Sequence, residues 1–204
     1  GAVALVLKRL PDAQRDGNRV YAVVRRLGFA GGSKQGYPSE QAYRAAIERA
    51  CADAKVDPRT IHYLETHGSG EPTEDRIEGR ALLDYFTSAG TRLCALGSVK
   101  AHIGHTGSAA GLASVARAAL CLYQEMIPPL PDFMAGPSDL DWGETFHLPR
   151  FPQSWLRDRA DGPRRAAASG ELGPAGRPRR GRAPGVGPVR RRRPRHGRAR
   201  GRAV

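Results

Sequence analysis

Cysteine is scarce, aromatic residues make up 6% of the chain, and no apolar run is long enough to span a bilayer. Cys51, Cys94 and Cys121 share no close spacing and form an odd set. This excludes a disulfide scaffold and a zinc or dithiol motif, and leaves small buried hydrophobes in a reduced, cytoplasmic setting as the expectation. No signal-peptide pattern opens the sequence, so a soluble protein without membrane segments is expected. Acidic residues are lacking in one region. Residues 161–204 contain 14 Arg, no Lys, and only Asp161 and Glu171 as acids, for a formal charge of +12. Residues 1–160 carry 19 Lys and Arg against 18 Asp and Glu, or +1, so the total of +13 describes the tail and not the rest. That tail also has no aromatic residue and is built mainly from Arg, Gly, Pro and Ala. Such a composition buries too little apolar surface to offset its chain entropy, and residues 166–204 are expected to be disordered.

The remainder has enough length for one substantial core. Residues 1–10 form an almost continuous apolar run that suits a buried strand, and residues 11–18 read as a polar turn. Residues 19–27 read as a second strand, and the Gly-rich stretch to Pro38 as a plain connection. Residues 39–55 read as a helix, with Ala42, Ala46, Ile47, Ala50 and Ala54 on one face and Ser39 as N-cap. Residues 61–66 form a short strand that ends in His67-Gly68-Ser69-Gly70. Asp75 and Glu78 have the spacing of a capping box before a helix striped by Ile77, Ala81, Leu82, Tyr85 and Phe86. A strand over 93–99 leads into a further helix over 108–126, Pro128, Pro129 and Pro131 exclude a helix after it, and residues 145–148 fit a short strand. Such alternation predicts an α/β layered domain with parallel pairings.

The stretch GSVKAHIGHTGSAAG, residues 97–111, gathers Lys100, His102 and His105 in a strand-to-helix turn. Turns of this kind sit at the carboxyl ends of strands, where open α/β sheets meet their ligands. A second strand ends at His67. If the two strands are neighbours, His67 and His105 emerge at one sheet edge, and that convergence is the physical reason to expect catalysis. Taken singly, His62, His147 and His196 read as structural or surface residues. A metal site built from His67, His102 and His105 is an alternative that lacks a fourth ligand.

These residues carry a family resemblance. ETHGSG at residues 65–70 resembles the first-histidine motif of the ketosynthases, the β-ketoacyl synthase domains of modular polyketide synthases and related fatty-acid synthases. GSVKAHIGHTGSAAG resembles their lysine and second-histidine motif, and the helix after it ends in IPP as theirs does. GAVALVLKRLPDA and RVYAVVRRLGFA resemble the strands at the junction of the family's two halves. The resemblance covers roughly residues 1–165 and implies the C-terminal half of a thiolase-like fold, a mixed sheet with packed helices. It also implies decarboxylative Claisen condensation, in which a cysteine thiolate carries the acyl chain and a malonyl-type extender on an acyl carrier protein loses carbon dioxide. His67 and His105 match the histidines that support decarboxylation and stabilise the enolate, and Lys100 matches the lysine that holds them electrostatically. Ser69 keeps a hydroxyl where the family's threonines touch the carrier's phosphopantetheine arm, and Ser69 and Thr106 are the candidates for binding substrate or that arm. No directly bound cofactor and no metal are implied. The implied partners are the carrier protein, the N-terminal half and, in the intact family, a second copy.

Departures accompany the match. The family's Thr-Ala-Cys-Ser nucleophile motif belongs to an N-terminal half not found in these 204 residues, and no cysteine here stands in such a setting. Glu71 replaces a threonine, and His102 stands where asparagine is common. A non-catalytic interaction fragment is therefore a competing reading, as is nonspecific binding of anionic polymers by the Arg tail, with no membrane partner. After Arg164-Arg165-Ala166-Ala167 the sequence leaves the family's Gly-Phe-Gly-Gly and Asn-Ala-His pattern abruptly. We read this as a shifted frame in a GC-rich coding sequence. Resequencing the gene should place codons for that pattern in an alternative frame beyond residue 167; codons that give the Arg tail in frame would end the idea.

Overall fold

The structure is a computed structural model that describes residues 1–34, 37–130, 140–156 and 162–169. At its centre is a four-stranded sheet in the order β6-β4-β3-β8, formed by Phe146–His147, Cys94–Gly97, Tyr63–Glu65 and Ala166–Ala168. Every pairing in it is parallel, with Tyr63 opposite Ala95 and Ala166, and Glu65 opposite Gly97 and Ala168. Antiparallel pairing is confined to two small ladders, β1 (Ser33–Lys34) with β2 (Tyr37–Pro38) and β5 (Met126–Ile127) with β7 (Gln153–Ser154).

Both faces of the sheet are covered, so β3 and β4 are buried without alternation. Leu64, Cys94, Leu96 and Phe146 pack with Cys51, Ile61, Leu82 and Phe86 on one face. These contacts dock α2 (Glu40–Ala54) and α3 (Pro72–Ser88). On the other face Tyr63 and Ala95 pack with Ala118, Cys121, Ile127 and Trp155. That cluster docks α5 (Ala110–Gln124), which follows the short α4 (Lys100–Ile103) and a 3-10 turn at Gly107–Ala109. The helix over 39–55 forms as expected, with the Ala42 amide donating to Ser39 Oγ at 3.2 Å. All three cysteines are free and buried in this core. Among the described residues no helix is long and apolar enough to cross a membrane.

Several expectations are corrected. Residues 1–9 and 19–29 form no strand, and a helix, α1 (Leu10–Arg15), replaces the expected turn, with Pro11 in its first turn. Strands need neighbours to pair their backbone groups, and no described residue pairs with these stretches. Val6, Leu7, Leu27 and Phe29 are consequently exposed. Asp75 and Glu78 do not cap α3. That helix begins at Pro72 and is capped by Glu71, whose Oε2 accepts from the Glu74 amide at 2.9 Å. Residues 166–168 join the sheet as β8, so order extends past the expected boundary at 165. The expected disorder and frameshift from residue 170 onward lie outside the described residues.

Phe86 is fully buried, with its ring centroid 5.5 Å from that of Phe146. Phe86→Ala should cost about 3–5 kcal/mol in urea unfolding followed by tryptophan fluorescence. Leu156→Ala, at a residue 87% exposed, should change stability by no more than about 0.5 kcal/mol.

Candidate active site

Because β3 and β4 run parallel in register, the segments after Glu65 and Gly97 leave the sheet side by side. The Thr66 amide and hydroxyl both donate to the Gly97 carbonyl, at 2.7 and 3.0 Å, which extends the pairing by one residue. The chain then turns at Gly68, whose φ of +48° favours glycine; a Cβ there would lie 2.9 Å from Ser98 Oγ. The turn delivers a buried His67 beside a buried Lys100.

The two strand ends are joined by the Lys100 ammonium. Lys100 Nζ donates to the His67 carbonyl and lies 3.3 Å from His67 Nδ1. An ammonium has donors only, so Nδ1 must accept and His67 carries its hydrogen on Nε2. Burial lowers the Lys100 pKa, against the pull of Glu78, Glu65, Glu74 and Asp75. His105 sits opposite, its ring centroid 6.0 Å from that of His67 at an interplanar angle of 83°. The Gly107 amide donates to His105 Nδ1 at 3.0 Å, made possible by the left-handed φ of +64° at Gly107. His105 therefore also presents an Nε2 hydrogen. Burial, then the charge of Lys100, then His67 push its pKa below the ordinary imidazole value. The result is two imidazoles with their Nδ1 atoms occupied, one by the Lys100 ammonium and the other by the Gly107 amide.

Carboxylates hold the frame. Glu78 accepts from the amides of His67 and Gly68 at 2.8 and 2.9 Å and from the Ser169 hydroxyl. Asp75 accepts from the Gly70 amide and from Ser69 Oγ, each at 3.1 Å. Glu65, fully buried, accepts from Tyr63 Oη at 2.5 Å and from the Val99 amide, and faces Arg117 Nε at 3.5 Å. Burial raises its pKa, opposed by the Tyr63 hydrogen bond and Arg117.

The structure thus brings His67, His105 and Lys100 together. Gly68, Ser69, Lys100 and His105 border a cavity of about 350 Å³, with Leu82 and Trp142 on its apolar side. That is the lower end of the range for small-molecule sites. A larger hollow of about 910 Å³, between α2, α3 and residues 140–145, contains none of these groups. Ser69 is tied to Asp75 and also accepts from the Glu71 amide at 3.2 Å, so its hydroxyl serves the loop first. Thr106 Oγ1 is buried with no hydrogen-bond partner among the described residues. Glu71, capping α3, has its pKa lowered chiefly by the Glu74 amide and stays ionised near the loop. His102 turns instead to Arg117, with Nδ1 3.1 Å from Nη1. Among the described residues no three His, Cys, Asp or Glu side chains are grouped to hold a metal. His147 lies 3.2 Å from Gln153, outside this group.

Sequence reading missed the holding role of Asp75 and Glu78, the pairing of Arg117 with Glu65, and Ser169. A signal existed for the first two. Glu71, Asp75 and Glu78 recur at the spacing of one helical face, the face that α3 turns to the loop.

A helix-covered parallel sheet with this histidine-lysine edge is the C-terminal half of a thiolase-like condensing fold. The β-ketoacyl synthase C-terminal domain family matches residues 21–134, and the chain belongs to that family. Its relatives are polyketide synthases. The chain is 40% identical over 176 residues to a mycocerosic acid synthase-like polyketide synthase of Mycobacterium tuberculosis (strain ATCC 25618 / H37Rv), a match covering 83% of this chain and 8% of that protein. It is 35% identical over 163 residues to polyketide synthase PksL of Bacillus subtilis (strain 168), covering 77% and 4%. Among solved structures, the ketosynthase from module 6 of the bacillaene synthase of Bacillus subtilis 168 superimposes with a TM-score of 0.73 at 30% identity, over 79% of this chain and 30% of that one. Ketosynthase twelve of the bacillaene polyketide synthase in Bacillus amyloliquefaciens gives 0.74 at 29% identity, over 80% and 30%. The chain therefore spans less than a third of these ketosynthases and a small fraction of the synthases.

In an NMR titration His105 should protonate below the ordinary imidazole range. Lys100→Met should move it only part of the way back up, because burial is the larger cause. Titration of His105 at or above the free-histidine range would contradict the neutral-donor assignment.

Proposed function

We propose that this chain supplies the decarboxylating and enolate-stabilising half of a β-ketoacyl synthase that works in polyketide assembly. The observation that carries the reading is the pair of imidazoles, ring centroids 6.0 Å apart, whose Nδ1 atoms are both occupied. In the reaction a malonyl-type thioester loses carbon dioxide. The electrons of the broken C–C bond pass onto the thioester oxygen, and an enolate forms. Neutral donors placed at that oxygen stabilise its charge without losing a proton to solvent, a contribution of the oxyanion-hole type. The enolate carbon then attacks an acyl thioester, forming the new C–C bond and releasing the cysteine thiolate. Lys100 holds His67 and does not form a Schiff base.

The thiolate comes from outside these residues. Cys94 is fully buried with its thiol pushed up to about 12, and burial also raises Cys51 and Cys121, so none is an activated nucleophile. The extender arrives on the phosphopantetheine arm of an acyl carrier protein, and no cofactor is bound directly. The exposed Val6, Leu7, Leu27 and Phe29 favour a second reading, an interaction fragment without chemistry.

Complementation separates the two. The 204-residue chain alone should not become acylated, whereas mixed with a separately produced N-terminal ketosynthase half it should restore malonyl decarboxylation. His67→Ala or His105→Ala should then lower that rate about 10²–10³-fold. Acylation of the isolated chain at a specific cysteine, or full activity in both variants, would refute the assignment.

A further inference from the structure

A single guanidinium beneath the site reaches both sides of Lys100. Arg117 stands in the middle of α5 with its side chain 10% exposed, its Nε 3.5 Å from Glu65 Oε2 and its Nη1 3.1 Å from His102 Nδ1. A guanidinium has donors only, so His102 Nδ1 accepts and the ring carries its hydrogen on Nε2. The other oxygen of Glu65, Oε1, accepts from the Val99 amide. Val99 directly precedes α4 and His102 is the third residue within it, so the two contacts bracket Lys100. That helix is a single turn without a side-chain cap, too short to hold its own shape. Its place is set by what it is tied to.

We infer that Arg117 is a positioning residue for the Lys100–His67 pair, holding one end of α4 directly through His102 and the other through Glu65 and the Val99 amide. The inference rests on the function proposed above and names the support of its lysine. Lys100 Nζ must meet the carbonyl and Nδ1 of His67 at once, and the ring contact at 3.3 Å is already at the limit of hydrogen-bond distance. A small displacement of α4 therefore breaks it and frees the His67 ring. A lysine at 117 would bring a point charge without the planar fork, so it could serve Glu65 or His102 but not hold both in fixed directions.

The deciding measurement needs no activity. Long-range ¹H–¹⁵N NMR of the full chain should show His102 with its hydrogen on Nε2 and His67 with an accepting Nδ1. In Arg117→Met the His67 Nδ1 signal should move toward that of a free imidazole. The His102 pKa should rise only part of the way to the ordinary value, because burial lowers it more than Arg117 does. Arg117→Lys should recover part of the His67 change. Leu122→Ala, which removes packing near the far end of α5, should leave the His67 signal in place. A His102 hydrogen on Nδ1 in the unsubstituted chain, a His67 signal indifferent to Arg117→Met, or an equal change in Leu122→Ala would overturn the proposal. If Arg117→Met does not fold, His102→Ala decides at an exposed position: the His67 signal should move in the same direction, and a fixed signal would overturn the proposal. In the complemented enzyme Arg117→Met should lower kcat for malonyl decarboxylation about 10²-fold with KM little changed, and an unchanged kcat would also overturn it. A complemented enzyme silent even without substitution would instead refute the proposed function, and the NMR result alone would then decide the role of Arg117.

Discussion

The arrangement depends on a buried ammonium. Lys100 lies at the start of α4 with its charge largely removed from water, and an uncompensated cation there would cost several kcal/mol. The protein answers with the His67 carbonyl as acceptor, the His67 ring within reach, and four carboxylates close enough to pull its pKa upward. The lysine can be reached by His67 only because β3 and β4 are parallel and in register, so that residues just beyond Glu65 and Gly97 share one edge. Sheet topology and site electrostatics are thus one constraint. A slip of one residue between the strands would reverse the faces of Tyr63 and Leu64 and separate the ammonium from its acceptor.

Around that cation the acids divide by what they touch. Glu78 grips the backbone of the turn, Asp75 grips its tip, and Glu65 ties Tyr63, Val99 and Arg117 together beneath it. Glu78 and Glu65 accept from amides or hydroxyls that would otherwise be buried without partners, an expensive condition in a dry interior. The His-Gly-Ser-Gly turn is therefore rigid before any ligand arrives. Preorganised donors contribute to catalysis because they need not reorient as charge develops.

The sheet, its helices and the meeting of His67 with His105 were legible in the sequence, because period, caps and motif spacing are local signals that topology then combines. What was not legible has separate causes. The apolar segments at residues 1–9 and 19–29 have strand composition, yet composition does not provide a neighbour, and the described residues contain none. Asp75 and Glu78 fit a capping box by spacing, but Pro72 sets the start of α3 four residues earlier and turns both carboxylates onto the loop. Ser169 carried no signal, since its contact with Glu78 spans 91 positions and arises only when β8 docks on β3.

The same contact bears on where the family pattern ends. The Ser169 amide donates to the Glu65 carbonyl at 2.8 Å, and the Ser169 hydroxyl reaches the carboxylate that holds His67. Residues beyond 165 thus complete the hydrogen bonding of the proposed site before the sequence turns to Arg, Gly and Pro. A chain cut at 165 would leave β3 with an unpaired edge and Glu78 short of a donor, next to His67. Among the described residues it is β8 and the serine that follows it that close the edge carrying His67.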